Sequence, residues 1–285
     1  MTKTESPVGF DGVQPLTPQE FEQFRQLAYR VFGLDLKSGK EELVCGRLRK
    51  LVRDGGFRRY QDYYKSIVED RTGEGLRAMI DALATNHTSF LREPDHFQFL
   101  REQVIPTMGA RDPIEVWSAA CSTGEEVWTL AMVLNEALPQ KKVRISASDI
   151  SNKALNFAQR AWYPAERCQG LPAAWLSRYF SAEGRPAASY RVAPAVRTQA
   201  VFRRLNLLES YSWERLFPVI FCRNVMIYFD RATQERVIEG LTRSLEPGGY
   251  LFVGHAESLT RISHGLEFVK PAVYRKRGKG ARWSK

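Results

Sequence analysis

Ile114-Glu115-Val116-Trp117-Ser118-Ala119, the turn Ala120-Cys121-Ser122-Thr123-Gly124, the acids Glu125-Glu126 and, further on, Val143 to Asp149 form the stretch whose reading decides the fold. Apolar residues at alternate positions predict a short strand, and the small residues after it predict a tight turn. Val127, Leu130, Ala131, Leu134 and Leu138 recur at helical spacing, and the second strand ends in an acid. Strand, turn, helix, strand, acid is the order of a right-handed crossover unit. In such a unit the ligand sits beyond the carboxyl ends of the strands. Small residues let it approach the backbone, and an acid after the second strand accepts from ribose hydroxyls. The turn and Asp149 are therefore expected to face one ligand.

The turn has no G-x-G-x-x-G pattern, and a strand-turn-helix alone also occurs in α/β proteins that bind no nucleotide. Glu125 and Glu126 put negative charge at the helix N-terminus, where a pyrophosphate would bind. A cationic ligand suits those acids better. S-adenosylmethionine, with its adenine, ribose, amino-acid end and sulfonium, meets that description.

At 285 residues with 44% hydrophobic content, the chain can bury one large core or a large and a small one. The net charge of +10 points to an acidic partner surface, whether nucleic acid, anionic lipid or protein. Cys45, Cys121, Cys168 and Cys222 form no C-x-x-C pair, so neither a zinc site nor a disulfide framework is indicated and reduced thiols are expected. Met1 to Val13 has no apolar core of signal-peptide length, and no run approaches the ~18 apolar residues of a membrane span. The expectation is a cytoplasmic protein with no membrane insertion.

N-terminal to this unit the pattern is helical. Thr17-Pro18-Gln19-Glu20 has the form of a capping box with proline at the first helical position, predicting a helix to Gly33, and Ser38-Gly39-Lys40-Glu41 repeats the form. The second helix is expected to bury Val44, Leu48 and Leu51 and to turn Arg47, Lys50 and Arg53 to another face, near Arg49, Arg58 and Arg59. With Tyr60 to Glu69 and Glu74 to Ala84 these make a small all-α domain, residues 1–85. Residues 86–94 read as an ordered linker, followed by a helix from Asp95 to Val104.

C-terminal to it, a helix from Ser151 to Ala161 precedes a proline- and alanine-rich stretch, about 171–200, which reads as an insertion. The α/β rhythm resumes with strands at Val201 to Leu205 and Pro218 to Cys222, a helix from Asp230 to Leu245, the turn Pro247-Gly248-Gly249 and a strand at Tyr250 to Gly254. Phe268 to Val269 and Ala272 to Tyr274 read as a closing antiparallel pair, and beyond Arg275 the tail is basic and loose. His87, His96, His255 and His264 show no acid or cysteine at ligand spacing, so no metal is expected.

Taken in order, several segments resemble the chemotaxis receptor glutamate methyltransferases of the CheR family. They are Asn86-His87-Thr88-Ser89-Phe90-Leu91-Arg92-Glu93, Val116 to Glu126, Ala147-Ser148-Asp149-Ile150, Asn206-Leu207-Leu208, Ile220 to Asp230, and Gly254-His255-Ala256-Glu257-Ser258-Leu259. Each alone is weak; all of them in the family's order, behind a helical domain, are specific. The family usually has Phe-Phe-Arg where this chain has Phe90-Leu91-Arg92, and leucine keeps the apolar anchor.

The resemblance implies a Rossmann-like, S-adenosylmethionine-dependent methyltransferase domain, residues 95–285, with a small β-subdomain inserted late in the sheet. It also implies methyl-ester formation on glutamates of the chemoreceptor cytoplasmic helical domain, with S-adenosylhomocysteine as product. By the same resemblance Asp149 holds the ribose, Glu126 accepts from the cofactor's amino group, and Asn206-Leu207 flank the adenine. Asn86, Thr88 and Arg92 reach in from the linker, and Arg223, Asn224 and Tyr228 line the opposite wall; Arg92 and Tyr228 are the catalytic candidates.

The cations Arg47, Lys50, Arg53 and Arg59 are candidates for docking the receptor. A monomer is expected. Some family members use the β-subdomain to grip a receptor C-terminal peptide, but Ala182 to Ser189 shows no tether-binding pattern and leaves that question open. Two other classes fit parts of the sequence less well. A nucleic-acid methyltransferase is permitted by the charge, but no Asp-Pro-Pro-Tyr-like or Asn-Pro-Pro-Tyr-like motif follows a strand and the basic face lacks interleaved aromatics, so no nucleic-acid partner is expected. A non-enzymatic cofactor-binding module is disfavoured by the joint presence of Arg92, Asn224 and Tyr228.

Overall fold

The computed structural model describes residues 12–184, 186 and 188–278. Most of the polar N-terminus, part of the Ala182 to Ser189 segment and most of the basic tail lie outside the described residues. The chain forms two compact units. One runs up to Thr85 and takes in Tyr228–Asp230; the other comprises Asn86–Ile227 and continues from Arg231.

The first unit is built from α1 (Pro18–Phe32), α2 (Glu41–Asp54), α3 (Tyr60–Glu69) and α4 (Glu74–Leu83). Thr17 and Glu20 satisfy each other's backbone N–H groups at the start of α1, and Gly33 takes the left-handed conformation that ends it. Glu20 also accepts from the Gln61 N–H at 2.8 Å, which fixes the entry to α3. The second capping box does not form. Lys40 is the residue before α2 and makes no side-chain cap, while Glu41 instead accepts from the Gly39 N–H. The buried edge of α2 is Val44, Leu48 and Val52, not Leu51, because a four-residue step keeps one side of the helix turned into the core. Tyr228–Asp230 joins this unit through Asp35 N–H to the Tyr228 carbonyl (2.9 Å) and the Tyr29 hydroxyl to Asp230 (2.8 Å).

The second unit opens with α5 (Pro94–Phe99), which continues through a π-helical turn, Leu100–Val104, and a tighter turn, Ile105–Met108. There follow β1 (Ile114–Ser118), α6 (Glu125–Ala137), β2 (Val143–Asp149), α7 (Asn152–Arg160), β3 (Trp162–Pro164), α8 (Ala173–Tyr179), β4 (Phe180–Glu183), β5 (Ser189–Val192), α9 (Pro194–Arg197), β6 (Ala200–Arg204), β7 (Phe217–Cys222), α10 (Arg231–Ser244), β8 (Leu245–Val253), β9 (Leu266–Lys270) and β10 (Val273–Lys276).

Seven strands make one sheet in the order β6-β2-β1-β7-β8-β10-β9. The first five are parallel, and β10 and β9 close the edge antiparallel. Every residue of β7 is buried, as a central parallel strand covered on both faces requires. Phe97 on α5 stacks on Phe221 of β7 (5.7 Å between centroids), which stacks on Phe252 of β8 (4.3 Å), so α5 is seated over the middle of the sheet.

Three expectations are corrected by the structure. The small subdomain is a three-stranded antiparallel sheet, β3-β5-β4, and it begins at Trp162 rather than near 171, because the first strand continues directly from α7. It enters between the second and third strands of the large sheet in chain order, not late in it. Pro247-Gly248-Gly249 is also absorbed into β8 instead of forming a free turn; Gly249 passes so close to the Phe217 and Pro218 carbonyls that a Cβ would lie 3.1 Å from each.

Candidate active site

The carboxyl ends of the parallel strands carry the candidate residues. After β1 the turn is laced to both neighbouring strands: the Ala119 N–H donates to the Phe221 carbonyl (2.7 Å) and the Cys121 N–H to that of Ser148 (2.9 Å). Ser122 and Gly124 are left-handed, with φ of 50° and 93°. At Gly124 a Cβ would lie 2.8 Å from Ala158 Cβ and 2.9 Å from the Tyr163 hydroxyl, so only glycine lets α6 start here.

Asp149, nearly buried, accepts from the Ser122 N–H through Oδ2 (2.8 Å) and from the Ser151 N–H through Oδ1 (2.9 Å). These charge-assisted bonds set the carboxylate while each oxygen keeps further lone-pair capacity. Beside it the Ser122 Oγ is buried and, among the described residues, unpartnered. On the adjoining strand, Asn206 and Leu207 are buried in the turn after β6, where Asn206 Oδ1 accepts from the Leu208 N–H (3.1 Å) and Nδ2 donates to Glu209 (3.2 Å).

The two acids that begin α6 divide. Glu125 turns inward, fully buried, where it accepts from the Thr123 hydroxyl (2.7 Å) and pairs with Arg167. Burial pushes its carboxyl pKa up in spite of those partners. Glu126 accepts from the Ser118 hydroxyl (2.6 Å) and from Arg223 Nη1 (3.1 Å), and burial raises its pKa as well.

Arg223, whose side chain is only 2% exposed, joins the walls. Besides Glu126 it donates through Nε and Nη2 to Glu93 Oε2 (3.2 and 2.9 Å) and through Nη2 to the Arg92 carbonyl (2.5 Å). Its guanidinium lies 5.5 Å from the Phe97 ring centroid. Glu93 also accepts from Asn224 Nδ2 (3.2 Å) and the His255 N–H (3.3 Å). Burial alone would raise the Glu93 pKa, but the Arg223 charge and these donors carry it below the ordinary value, whereas Glu126, with fewer donors, goes the other way.

Glu257 performs a similar service behind the wall. Its Oε2 accepts from the Asn224 and Gly254 N–H groups, each at 2.7 Å, and Oε1 from that of Ile227 (3.2 Å). Asn224 is left-handed at φ 57°, as are Leu91 (54°) and Glu93 (55°) on the facing linker. Such backbone strain in non-glycine residues gathers where a site over-determines the chain.

The fold thus brings Arg92, Glu126, Arg223 and Asn224 to one cluster and places Asp149 on the neighbouring turn, with Asn206 and Leu207 one strand further out. Asn86 and Thr88 are half-buried on the linker. The Arg92 guanidinium donates to the His87 carbonyl (2.7 Å). Tyr228 belongs with the helical unit.

The expected basic face is largely spent within its own unit. Arg47 donates to the Leu83 carbonyl and the Thr85 hydroxyl at the end of α4, Arg53 pairs with Asp54 (3.1 Å), and Arg59 pairs with Asp62 (2.7 Å); Lys50 is exposed. Sequence reasoning placed Ser122 on the ligand-facing turn but missed the roles of Glu93 and Glu257. It also missed that Glu93, His96 and His255 meet in space, although Glu93 stands one helical turn before His96 in the sequence.

An unpartnered buried hydroxyl on the turn, a locked acid beside it and two acids in the first turn of α6 fit a ribose and an amino-acid end rather than a pyrophosphate. Fold and site together define the class: a Rossmann-like, S-adenosylmethionine-dependent protein methyltransferase. Residues 86–274 match the family described as CheR methyltransferase, SAM binding domain, and residues 19–84 match CheR methyltransferase, all-alpha domain. The chain belongs to the CheR methyltransferase family. It is 37% identical to chemotaxis protein methyltransferase 2 of Pseudomonas aeruginosa over 277 residues, covering 96% of this chain and 98% of that one. It is 34% identical to the chemotaxis protein methyltransferase of Borreliella burgdorferi, covering 92% and 95%. Among the described residues no helix is long and apolar enough to cross a membrane.

Proposed function

We propose that this chain transfers the S-adenosylmethionine methyl group to glutamate carboxylates on the cytoplasmic helical domain of chemoreceptors, setting receptor sensitivity in a chemotaxis-type pathway. The observation that supports this most is the Arg223 clamp, which fixes Glu93 and Glu126 at the strand ends beside the Asp149 turn. The cofactor supplies an electrophilic methyl on a positively charged sulfur: a carboxylate oxygen gains the O–CH3 bond as the S–CH3 bond breaks, leaving a neutral thioether. A glutamate side chain is already ionised at neutral pH, so the protein needs no strong general base. Its task is alignment and exclusion of water.

In this reading Asp149 accepts from the ribose hydroxyls, Glu126 from the cofactor's amino group, and Asn206 and Leu207 border the adenine. Asn86 and Thr88 add polar contacts from the linker, and Arg92 orients the carboxylates. Arg223 and Asn224 act through Glu93 and Glu126, holding that wall in place. Tyr228 receives no catalytic step. The deciding experiment is transfer of base-labile radioactive methyl groups from labelled cofactor to purified receptor cytoplasmic fragments. Label that resists base would overturn the ester reading.

Two further outcomes are expected. Asp149→Ala weakens S-adenosylhomocysteine binding by about 1.5–3 kcal/mol, the range for hydrogen bonds to a charged group. Calorimetry on the folded variant measures it, and unchanged affinity removes Asp149 from the site. For docking, the exposed cations Lys50, Arg53 and Arg59 suit an acidic helical substrate, whereas Arg47 is reassigned to holding the end of α4. Arg53→Glu with Arg59→Glu raises KM for the receptor and flattens the salt dependence of the rate while cofactor affinity stays the same. Asp54 and Asp62 already neutralise part of this surface, so the effect is severalfold rather than large. Equal KM and salt slope would leave these residues as a solvated face.

A further inference from the structure

Next to the clamp, three side chains converge in a way that methyl transfer does not use. His96 on α5 is wholly buried, and among the described residues neither of its ring nitrogens has a hydrogen-bond partner. Buried polar groups are ordinarily satisfied, so an imidazole with both nitrogens unpartnered is chemically disposed to take up a ligand. Its Nδ1 lies 3.4 Å from Glu93 Oε2, too loosely set for a hydrogen bond, and its ring centre lies 4.7 Å from that of His255. One ligand atom from each of Glu93, His96 and His255 falls within 4.8 Å of the others.

We propose that Glu93, His96 and His255 form a binding site for one divalent transition-metal ion of the zinc class. Two imidazoles and a carboxylate are a donor set for zinc, cobalt or nickel, whereas magnesium and calcium take oxygen ligands. Zinc bonds of about 2.0–2.2 Å require the three atoms to draw in by a fraction of their present separation. His255 supplies that adjustment, because its side chain is 48% exposed and it opens the site to solvent. Asp95 Oδ1, 3.0 Å from His255 Nε2, orients that ring as outer carboxylates do for metal-bound histidines.

The surrounding charges are mixed. Arg223 shares Glu93 Oε2 and Lys270 lies 3.4 Å from Asp95, opposed by the carboxylates of Glu93 and Asp95. The site therefore favours an ion that gains covalent character from nitrogen donors over one held by charge alone. The three protein ligands leave a further coordination position open to water. Bound metal would tie α5 to the loop that follows β8.

The test uses the untagged full chain, stripped with chelator and titrated by calorimetry with zinc chloride and, for its visible spectrum, with cobalt chloride. One equivalent is expected, with a cobalt band in the visible region and no displacement by excess magnesium. His255→Ala, a surface change that opens no core cavity, is expected to weaken zinc binding at least ~10-fold. Failure of the parent to bind one equivalent, or unchanged affinity in His255→Ala, overturns the proposal. The readout is metal occupancy, so it is independent of whether the chain methylates receptors.

Discussion

Arg223→Ala is expected to lower the unfolding free energy by about 3–5 kcal/mol, the cost of leaving buried charge without its partner. Four donated hydrogen bonds disappear in one substitution: two to Glu93, one to Glu126 and one to the Arg92 carbonyl. Among the described residues Glu126 would keep only the Ser118 hydroxyl, and its carboxylate would tend to take up a proton. Lysine should recover little, since one ammonium cannot reach both carboxylates and the carbonyl with the geometry of a planar fork. Urea unfolding followed by tryptophan fluorescence measures the loss. In the Glu93→Gln, Glu126→Gln background the same substitution should cost much less, because the charges it neutralises are gone. A loss under about 1 kcal/mol in the parent background would mean that the clamp is not structural.

Arg92→Ala should behave in the opposite manner, folding normally while turnover falls by about 100-fold, the scale of a misplaced reacting group. Arg92 contributes to the clamp through its backbone carbonyl, which alanine retains, and among the described residues its guanidinium hydrogen-bonds only to the His87 carbonyl of its own linker. Removing the side chain therefore leaves Glu93 and Glu126 where they are. Single-turnover and steady-state rates with saturating cofactor separate the loss of kcat from any change in affinity. Lysine should rescue poorly. Turnover within a few-fold of the parent would take Arg92 out of the mechanism.

These two arginines show what the sequence could convey. The crossover unit from Ile114 to Asp149 was legible because alternation, small residues and a terminal acid are local signals, and the parallel order of β1 and β2 follows from them. The helical unit was legible for the same reason, down to the capping box at Thr17. What local pattern could not supply was which charges meet. Glu93 read as the residue before a helix-starting proline, yet Arg223, 130 positions away, holds its carboxylate. Glu125 and Glu126 looked alike as acids at a helix start, but one helical step turns Glu125 toward Arg167 and Glu126 toward Arg223. The subdomain boundary was misplaced because β3 is three residues long and pairs with a strand some thirty positions later, leaving no periodicity to detect. Arg53 and Arg59 were read as available charge because an acid beside a base in sequence does not announce a pair.

The three-stranded insert bears on how members of such a family could diverge. Its entry and exit strands are joined where the Val192 N–H donates to the Ala161 carbonyl (2.9 Å), so the excursion closes on itself before the large sheet resumes. Its root, however, is not interchangeable. Tyr163 donates to the Thr123 carbonyl (2.7 Å) and Arg167 to the Thr123 hydroxyl (2.9 Å), so the base of the insert buttresses the turn beside Asp149. Changes at Tyr163 or Arg167 therefore reach that turn at once, whereas among the described residues the β4–β5 end makes no hydrogen bond to it. Root and tip of one small sheet thus stand under different constraints, and only the root is wired to the turn.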